Sequence, residues 1–147
     1  MRNLKTLCLS LIFLGTSAFA GPMEDAVQVV DRWAKAFTEA DVDTIVSLYA
    51  SDAVFIGTSS KTIVTRPEDI KKYFQVALLG SRRFVATLVE SDVTRVSETA
   101  FVVTALDKIV VSADGKSQDV FGRVTFVLAK RESGWKIVNF HRSAMPS

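Results

Sequence analysis

The spacing of apolar side chains changes along this chain, and each change marks a new element. From residue 24 they recur at helical intervals, with Ala26, Val30, Trp33, Ala34 and Phe37 of "MEDAVQVVDRWAKAFTEAD" on one side. Glu24 and Asp25 sit where a helix N-terminus favours anions, so a helix is predicted over about 24–39. "DVDTIVSLYASD" predicts a short second helix capped by Asp41, with Ile45, Leu48 and Tyr49 as its buried side. "AVFIGTSS" then reads as a short strand running into a glycine turn. In "TRPEDIKKYFQVALLG", Thr65 and Glu68 have capping-box spacing, and Pro67 stands in the first turn, where no amide donor is needed. Ile70, Tyr73, Phe74 and Ala77 form the stripe of this third helix, and Gly80 stops it.

After residue 82 the period drops to two. "RFVATLVESDVTRV", "AFVVTALDKIVV", "QDVFGRVTFVLAK" and "GWKIVNFHRS" are rich in valine, threonine and phenylalanine and are separated by "SET", "ADGK" and "ESG". Four long strands joined by tight turns make an antiparallel meander. Helices first and strands after is the order of an α+β fold, with the helices on one face of the sheet. Strict alternation divides the last strand in two. Lys136, Val138, Phe140 and Arg142 share one side, of which Val138, Phe140 and Arg142 are candidates for an inner pocket. Trp135, Ile137, Asn139 and His141 share the other, the candidate interface with a second subunit.

The first twenty residues stand apart. "MRNLKTLCLSLIFLGTSAFA" carries Arg2 and Lys5, an apolar run from Leu7 to Leu14, and the small-residue pattern Ala18-Phe19-Ala20. This is the composition of a secretory signal peptide with cleavage after Ala20, and its apolar run is far short of the ~20 residues that span a bilayer. The expected mature protein is therefore secreted, most simply to a periplasm, as a single domain over 21–147. Its removal takes away the only cysteine, Cys8, and with it any disulfide. The 18 Lys+Arg less Arg2 and Lys5 leave 16, against 16 Asp+Glu, so the mature domain is near neutral. A neutral domain carries no footprint for nucleic acid or for an anionic membrane surface.

"GWKIVNFHRSAMPS", with its Trp-x-Ile-Val-x-Phe-His-Arg-Ser stretch and a following proline, resembles the end of the association-domain family of calcium/calmodulin-dependent protein kinase II and its bacterial relatives. "AFTEADVDTIVSLYASDAVF" resembles the helix–turn–helix–strand pattern of the wider SnoaL-like, or nuclear transport factor 2-like, superfamily. Together these cover residues 24–147. The resemblance implies a cone-shaped, cystatin-like roll: a curved antiparallel sheet wrapped around a long N-terminal helix, with a pocket at the wide end. It also implies a homodimer or higher homo-oligomer through the outer sheet face. The expected ligand is small and partly apolar, with a carboxylate end among the candidates. Ketosteroid isomerases of this superfamily use an aspartate base and a helix-one tyrosine, which fall without gaps at Gly57 and Trp33. Glycine accepts no proton and indole only donates, so that chemistry is not expected. The kinase family holds carboxylates with several arginines; Arg142 matches one, while Phe126 and the Leu106–Asp107 region stand at two others.

Weighed singly, Arg142 could anchor an anion or pair with a carboxylate such as Asp107 or Asp119. Asp107 interrupts an otherwise apolar strand and is the one catalytic candidate, a base if it faces the pocket; the alternatives are a solvent-facing position or a salt bridge to Arg142 or Arg123. Trp33, Tyr49, Phe55, Tyr73 and Phe74 suit either a pocket wall or plain core. His141, on the opposite side from Arg142, reads as an interface or structural histidine. A lone histidine without cysteine gives no metal site, and no glycine-rich phosphate loop calls for a cofactor. Arg66 and "GTSSKT" read as a loop over the pocket mouth, and Arg82-Arg83 as a solvated strand start. Three functions fit: a binding domain without catalysis, an isomerase, dehydratase or hydrolase using Asp107 with Tyr49 or Arg142, and an assembly or inhibitory module.

Overall fold

The computed structural model describes residues 21–146; the predicted signal peptide, residues 1–20, lies outside them. The elements run α1 (Pro22–Thr38), α2 (Val42–Ser47), β1 (Tyr49–Ile56), α3 (Pro67–Leu78), β2 (Arg83–Ser97), β3 (Ala100–Ala113), β4 (Lys116–Arg131) and β5 (Gly134–Ala144). The strands form one sheet in the order β1-β5-β4-β3-β2, antiparallel throughout except where β1 joins β5 in parallel. The sheet curls around α1 as a cystatin-like α+β roll. No helix among the described residues is long and apolar enough to cross a membrane.

Local chemistry explains most boundaries. Asp41 caps α2 by accepting from the Thr44 amide at 3.0 Å, and hydrogen bonding from the Thr44 side chain, together with that amide, holds its carboxyl below its ordinary value. Two details depart from the sequence reading. Tyr49 opens β1 instead of closing α2, which ends at Ser47 because the edge of β5 offers a ladder: the Ile137 amide donates to the Leu48 carbonyl at 2.9 Å. The Thr65–Glu68 capping box does not form. Arg66 is the N-cap of α3 and reaches forward to Asp69, Nε donating to Oδ2 at 2.7 Å, so an ion pair occupies the turn that the box would have used.

The largest correction concerns β5. Val127 pairs with Asn139 and Leu128 with Ile137, so Val138 is an extra residue on β5, a bulge. The bulge reverses the facing of everything beyond it. Trp135 and Ile137, expected at an interface, are buried in the core, 7% and 0% exposed, on the same side as Phe140 and Arg142. Only Asn139 and His141 of that set face outward, and Val138 is half-buried and no part of the inner cavity. An extra residue of this kind lets a long strand bend around α1 while keeping both halves of one face turned inward.

Aromatic rings fill the interior. Trp33 of α1 stacks on Phe37 with centroids 5.1 Å apart and meets Phe126 and Phe140 at 5.3 Å; Phe55 lies parallel to Phe140 at 5.1 Å. Each buried ring stabilises the fold by about 1.5–3 kcal/mol relative to exposure, and such pairs add a further ~0.5–1.5. Trp33 Nε1 donates to the Tyr49 hydroxyl at 3.1 Å, and burial pushes the Tyr49 phenol well above its ordinary value.

Because the folded protein holds the Tyr49 proton more tightly than the unfolded chain, this contribution is complete below pH ~10 and is lost as pH rises beyond it. Stability should therefore fall by up to ~1.4 kcal/mol for each pH unit above ~10. Urea unfolding at pH 9 and pH 11 should show a steeper loss for the wild type than for Tyr49→Phe; equal losses would contradict it.

Candidate functional site

At the wide end of the cone, β3, β4 and β5 present Asp107, Gly122 and Arg142 on their inner faces. Asp107 faces Gly122 across the β3–β4 ladder, while Arg142 pairs with Val124 one register further on and reaches back diagonally. The guanidinium grips the carboxylate in a fork: Nε donates to Oδ2 at 2.6 Å and Nη2 to Oδ1 at 2.8 Å. Both residues are buried, Asp107 at 3% and Arg142 at 8% exposed. The space for this fork comes from Gly122. A Cβ there would lie 2.5 Å from Asp107 Oδ1 and 2.6 Å from Arg142 Cζ, closer than atoms approach. Spacing alone gave no sign of Gly122, since a glycine inside a strand reads as a weak point until its neighbours are known.

A third bond ties the pair to the loop of residues 57–66. Arg142 Nη1 donates to Thr58 Oγ1 at 2.8 Å, and the Thr58 hydroxyl donates to the Arg142 carbonyl at 3.5 Å. At the loop's root, Gly57 lies against Tyr73 and Phe55; a Cβ there would enter the Tyr73 ring and stand 2.9 Å from Phe55 Cζ. Gly57 thus supports the aromatic wall.

The remaining space inside the cone is a cavity of about 110 Å³. Trp33, Tyr73, Phe140 and Arg142 of the expected pocket set line it, joined by Phe37, Phe74 and Ile109. Tyr49 and Phe55 stand behind this wall, buried in the aromatic core. Asp107 does not line the cavity: its oxygens end on Arg142, and as the candidate base it has no face toward a substrate there. Among the described residues, the lining includes no carboxylate and no imidazole. His141 is exposed on the outer face, in a depression shared with Leu106, Arg123 and Thr125, so it and Arg142 serve no common centre.

Three hydrogen bonds use three of the five N–H groups of Arg142, which leaves one proton on each terminal nitrogen. Tyr73, whose hydroxyl accepts only a long 3.5 Å contact from the Ser59 amide, adds a second donor to the same wall. The cavity can therefore surround a compact apolar body and donate hydrogen bonds to one polar end. The fork to Asp107 has already neutralised the guanidinium charge. Among the described residues no cluster of His, Cys, Asp or Glu is arranged to hold a metal.

The SnoaL-like domain family matches residues 26–147, and the chain belongs to it. A candidate calcium/calmodulin-dependent protein kinase II association domain from Xanthomonas campestris is 29% identical; the match covers 84% of this chain and 88% of that one, with a TM-score of 0.74. A ketosteroid isomerase-like protein from Erwinia carotovora atroseptica superposes with a TM-score of 0.72 at 15% identity, over 88% of this chain and 100% of that one. A candidate scytalone dehydratase from Novosphingobium aromaticivorans also gives 0.72, at 13% identity over 84% of each chain. The last two likenesses establish the fold and nothing of the chemistry. Comparison with curated proteins by sequence gave no match.

If the fork depends on the missing side chain at 122, Gly122→Ala should cost about 2–4 kcal/mol, since overpacking and a disturbed buried pair act together. Asp107→Ala, which leaves a buried cation uncompensated, should cost about 3–5 kcal/mol. In the Asp107→Ala background, Gly122→Ala should cost markedly less than alone, because the oxygen it would strike is gone and Arg142, released from the fork, can give way. Denaturant unfolding of the three variants measures this coupling, and additive losses would refute it.

Proposed function

We propose that this SnoaL-like domain is an exported receptor for a compact, partly apolar molecule with an uncharged hydrogen-bond acceptor at one end. The observation that carries this reading is the cavity wall: aromatic on most sides, with one guanidinium whose charge Asp107 has balanced. A carboxylate ligand would compete with Asp107 for the same fork, whereas a carbonyl or hydroxyl oxygen can accept the two N–H groups left over. Size narrows the class further. A cavity of ~150 Å³ admits benzene, which has six non-hydrogen atoms, so about 110 Å³ suits a body of roughly four or five. An isomerase or dehydratase reading needs a base at the cavity, and Asp107 is committed elsewhere.

Export rests on the signal-peptide pattern of residues 1–20 and would place the domain in the periplasm. Assembly as a homodimer through the outer sheet face is supported by Leu106 and Phe121, 36% and 50% exposed there. The same apolar face would serve an assembly or inhibitory module, in which the cavity has no ligand.

Butanone has the size and the acceptor, and Trp33 reports on the wall. It should quench or shift Trp33 emission saturably, with a dissociation constant around ~1 mM. Ala77→Leu, which fills the same space, should abolish the signal; an unsaturable response in the wild type would count against the reading. Light scattering should give twice the monomer mass for the wild type and the monomer mass for Leu106→Glu. A monomeric wild type would remove the dimer.

A further inference from the structure

Outside the cavity lies a larger and differently charged space. The loop of residues 57–66, α3 and the start of β2 enclose an open groove of about 850 Å³ that shares Thr58, Tyr73 and Ala77 with the cavity wall, so the groove is its vestibule. Four basic side chains and one acidic one line it. The acid, Asp69, is bound to Arg66 through two bonds of 2.7 and 3.1 Å. Among the described residues, no carboxylate stands within ion-pair distance of Lys61, Lys72 or Arg82. The seven salt bridges outside the buried fork all involve other cations. A domain with equal numbers of cations and anions has thus gathered three uncommitted cations around a single opening.

Between these cations apolar side chains alternate with the hydroxyls of Thr58, Ser59, Ser60, Thr62 and Thr65. Ile63 and Val76 are 64% and 76% exposed beside the groove, and Phe84 lies beneath Arg82, whose guanidinium sits 5.5 Å from the ring centroid. Exposed aliphatic groups and unpaired cations along one channel that leads to an aromatic cavity match one kind of molecule. We propose that the groove binds an anionic amphiphile, with its carboxylate, sulfate or phosphate head on Lys61, Lys72 and Arg82 and its chain running past Val76 and Phe84 toward the cavity. The division of charge fits: among the described residues the one guanidinium lining the cavity already has its anion, so an acidic head is better held at the mouth. Lysine ammonium groups are suited to a head of this kind because they act as point charges without demanding one geometry. Contacts made by exposed cations are screened by salt, with a Debye length of about 8 Å at physiological ionic strength, and this supplies the readout.

This inference rests on the cavity reading only for where the tail ends, and the two can fail separately. Octanoate and 1-octanol share a chain and differ in the head. At 20 mM salt octanoate should bind at least tenfold more tightly than 1-octanol by calorimetry, and at 0.5 M salt that advantage should shrink to less than threefold. The exposed charge reversals Lys72→Glu and Arg82→Glu, checked for an unchanged thermal midpoint, should remove the advantage and leave butanone binding as it was. Equal affinity for the two chains overturns the groove while butanone still decides the cavity. Octanoate binding without butanone binding upholds the groove and removes the cavity reading. Binding to vesicles rich in anionic lipid, with no binding of free octanoate, overturns the proposal in favour of a membrane surface.

Discussion

Everything at the wide end of this molecule depends on two opposite charges taken out of water together. Removing a carboxylate and a guanidinium from solvent costs several kcal/mol each, and their attraction offsets this only when the geometry is close to ideal. Here the fork is bidentate, with bonds of 2.6 and 2.8 Å, and Thr58 occupies a third donor. Several demands follow from that one arrangement. Position 122 must be glycine, because the fork occupies the space where its side chain would be. The loop after β1 must pass close enough for Thr58 to reach. The cavity must be electrically neutral although an arginine forms part of its wall.

A second demand falls on the strand that carries Arg142. β5 lies between β1 and β4 and must bend with the sheet while keeping Trp135 and Ile137 packed at one end and Phe140 and Arg142 at the other. A strict two-residue period cannot do this, because those four residues do not share a parity. One additional residue, Val138, resolves the conflict, and the pairing with β4 registers the shift. The bulge therefore aims Arg142 inward and His141 outward while leaving the far end of β5 in the core.

This explains which parts were legible in the residues themselves. Helical stripes, the Asp41 cap and the turn at Gly134, whose φ of 105° suits glycine, are local signals and appear at the expected places. The order of helices before strands was enough to identify the α+β class. A bulge leaves no such trace, since alternation counted along one strand does not reveal that its partner is a residue shorter. The Thr65–Glu68 box failed for a related reason: Arg66 and Asp69 offered the same turn a charged alternative. At the site, pairing between Asp107 and Arg142 was one of several alternatives open to each residue, and only three-dimensional register chose among them. Gly122 was invisible because its significance belongs to its neighbours. Lys61, Lys72 and Arg82 are scattered along the chain and converge only because the loop after β1, α3 and the start of β2 line one groove.

The placement of charge also bears on how one scaffold accommodates different ligands. In a dry interior a guanidinium without a counter-ion would select strongly for an anion, because its field is poorly screened there. Placing Asp107 against Arg142 removes that selection from the cone and leaves shape and hydrogen bonding to discriminate. The uncommitted cations stand in the outer groove, where solvent weakens them individually but where, in the proposed binding mode, they would act on a ligand before it is enclosed. Recognition of charge and recognition of shape would then be carried by different residues on different elements. A change in Lys72 or Arg82 should alter the first without disturbing the fork, whereas a change in Arg142, Asp107 or Gly122 disturbs the fold itself.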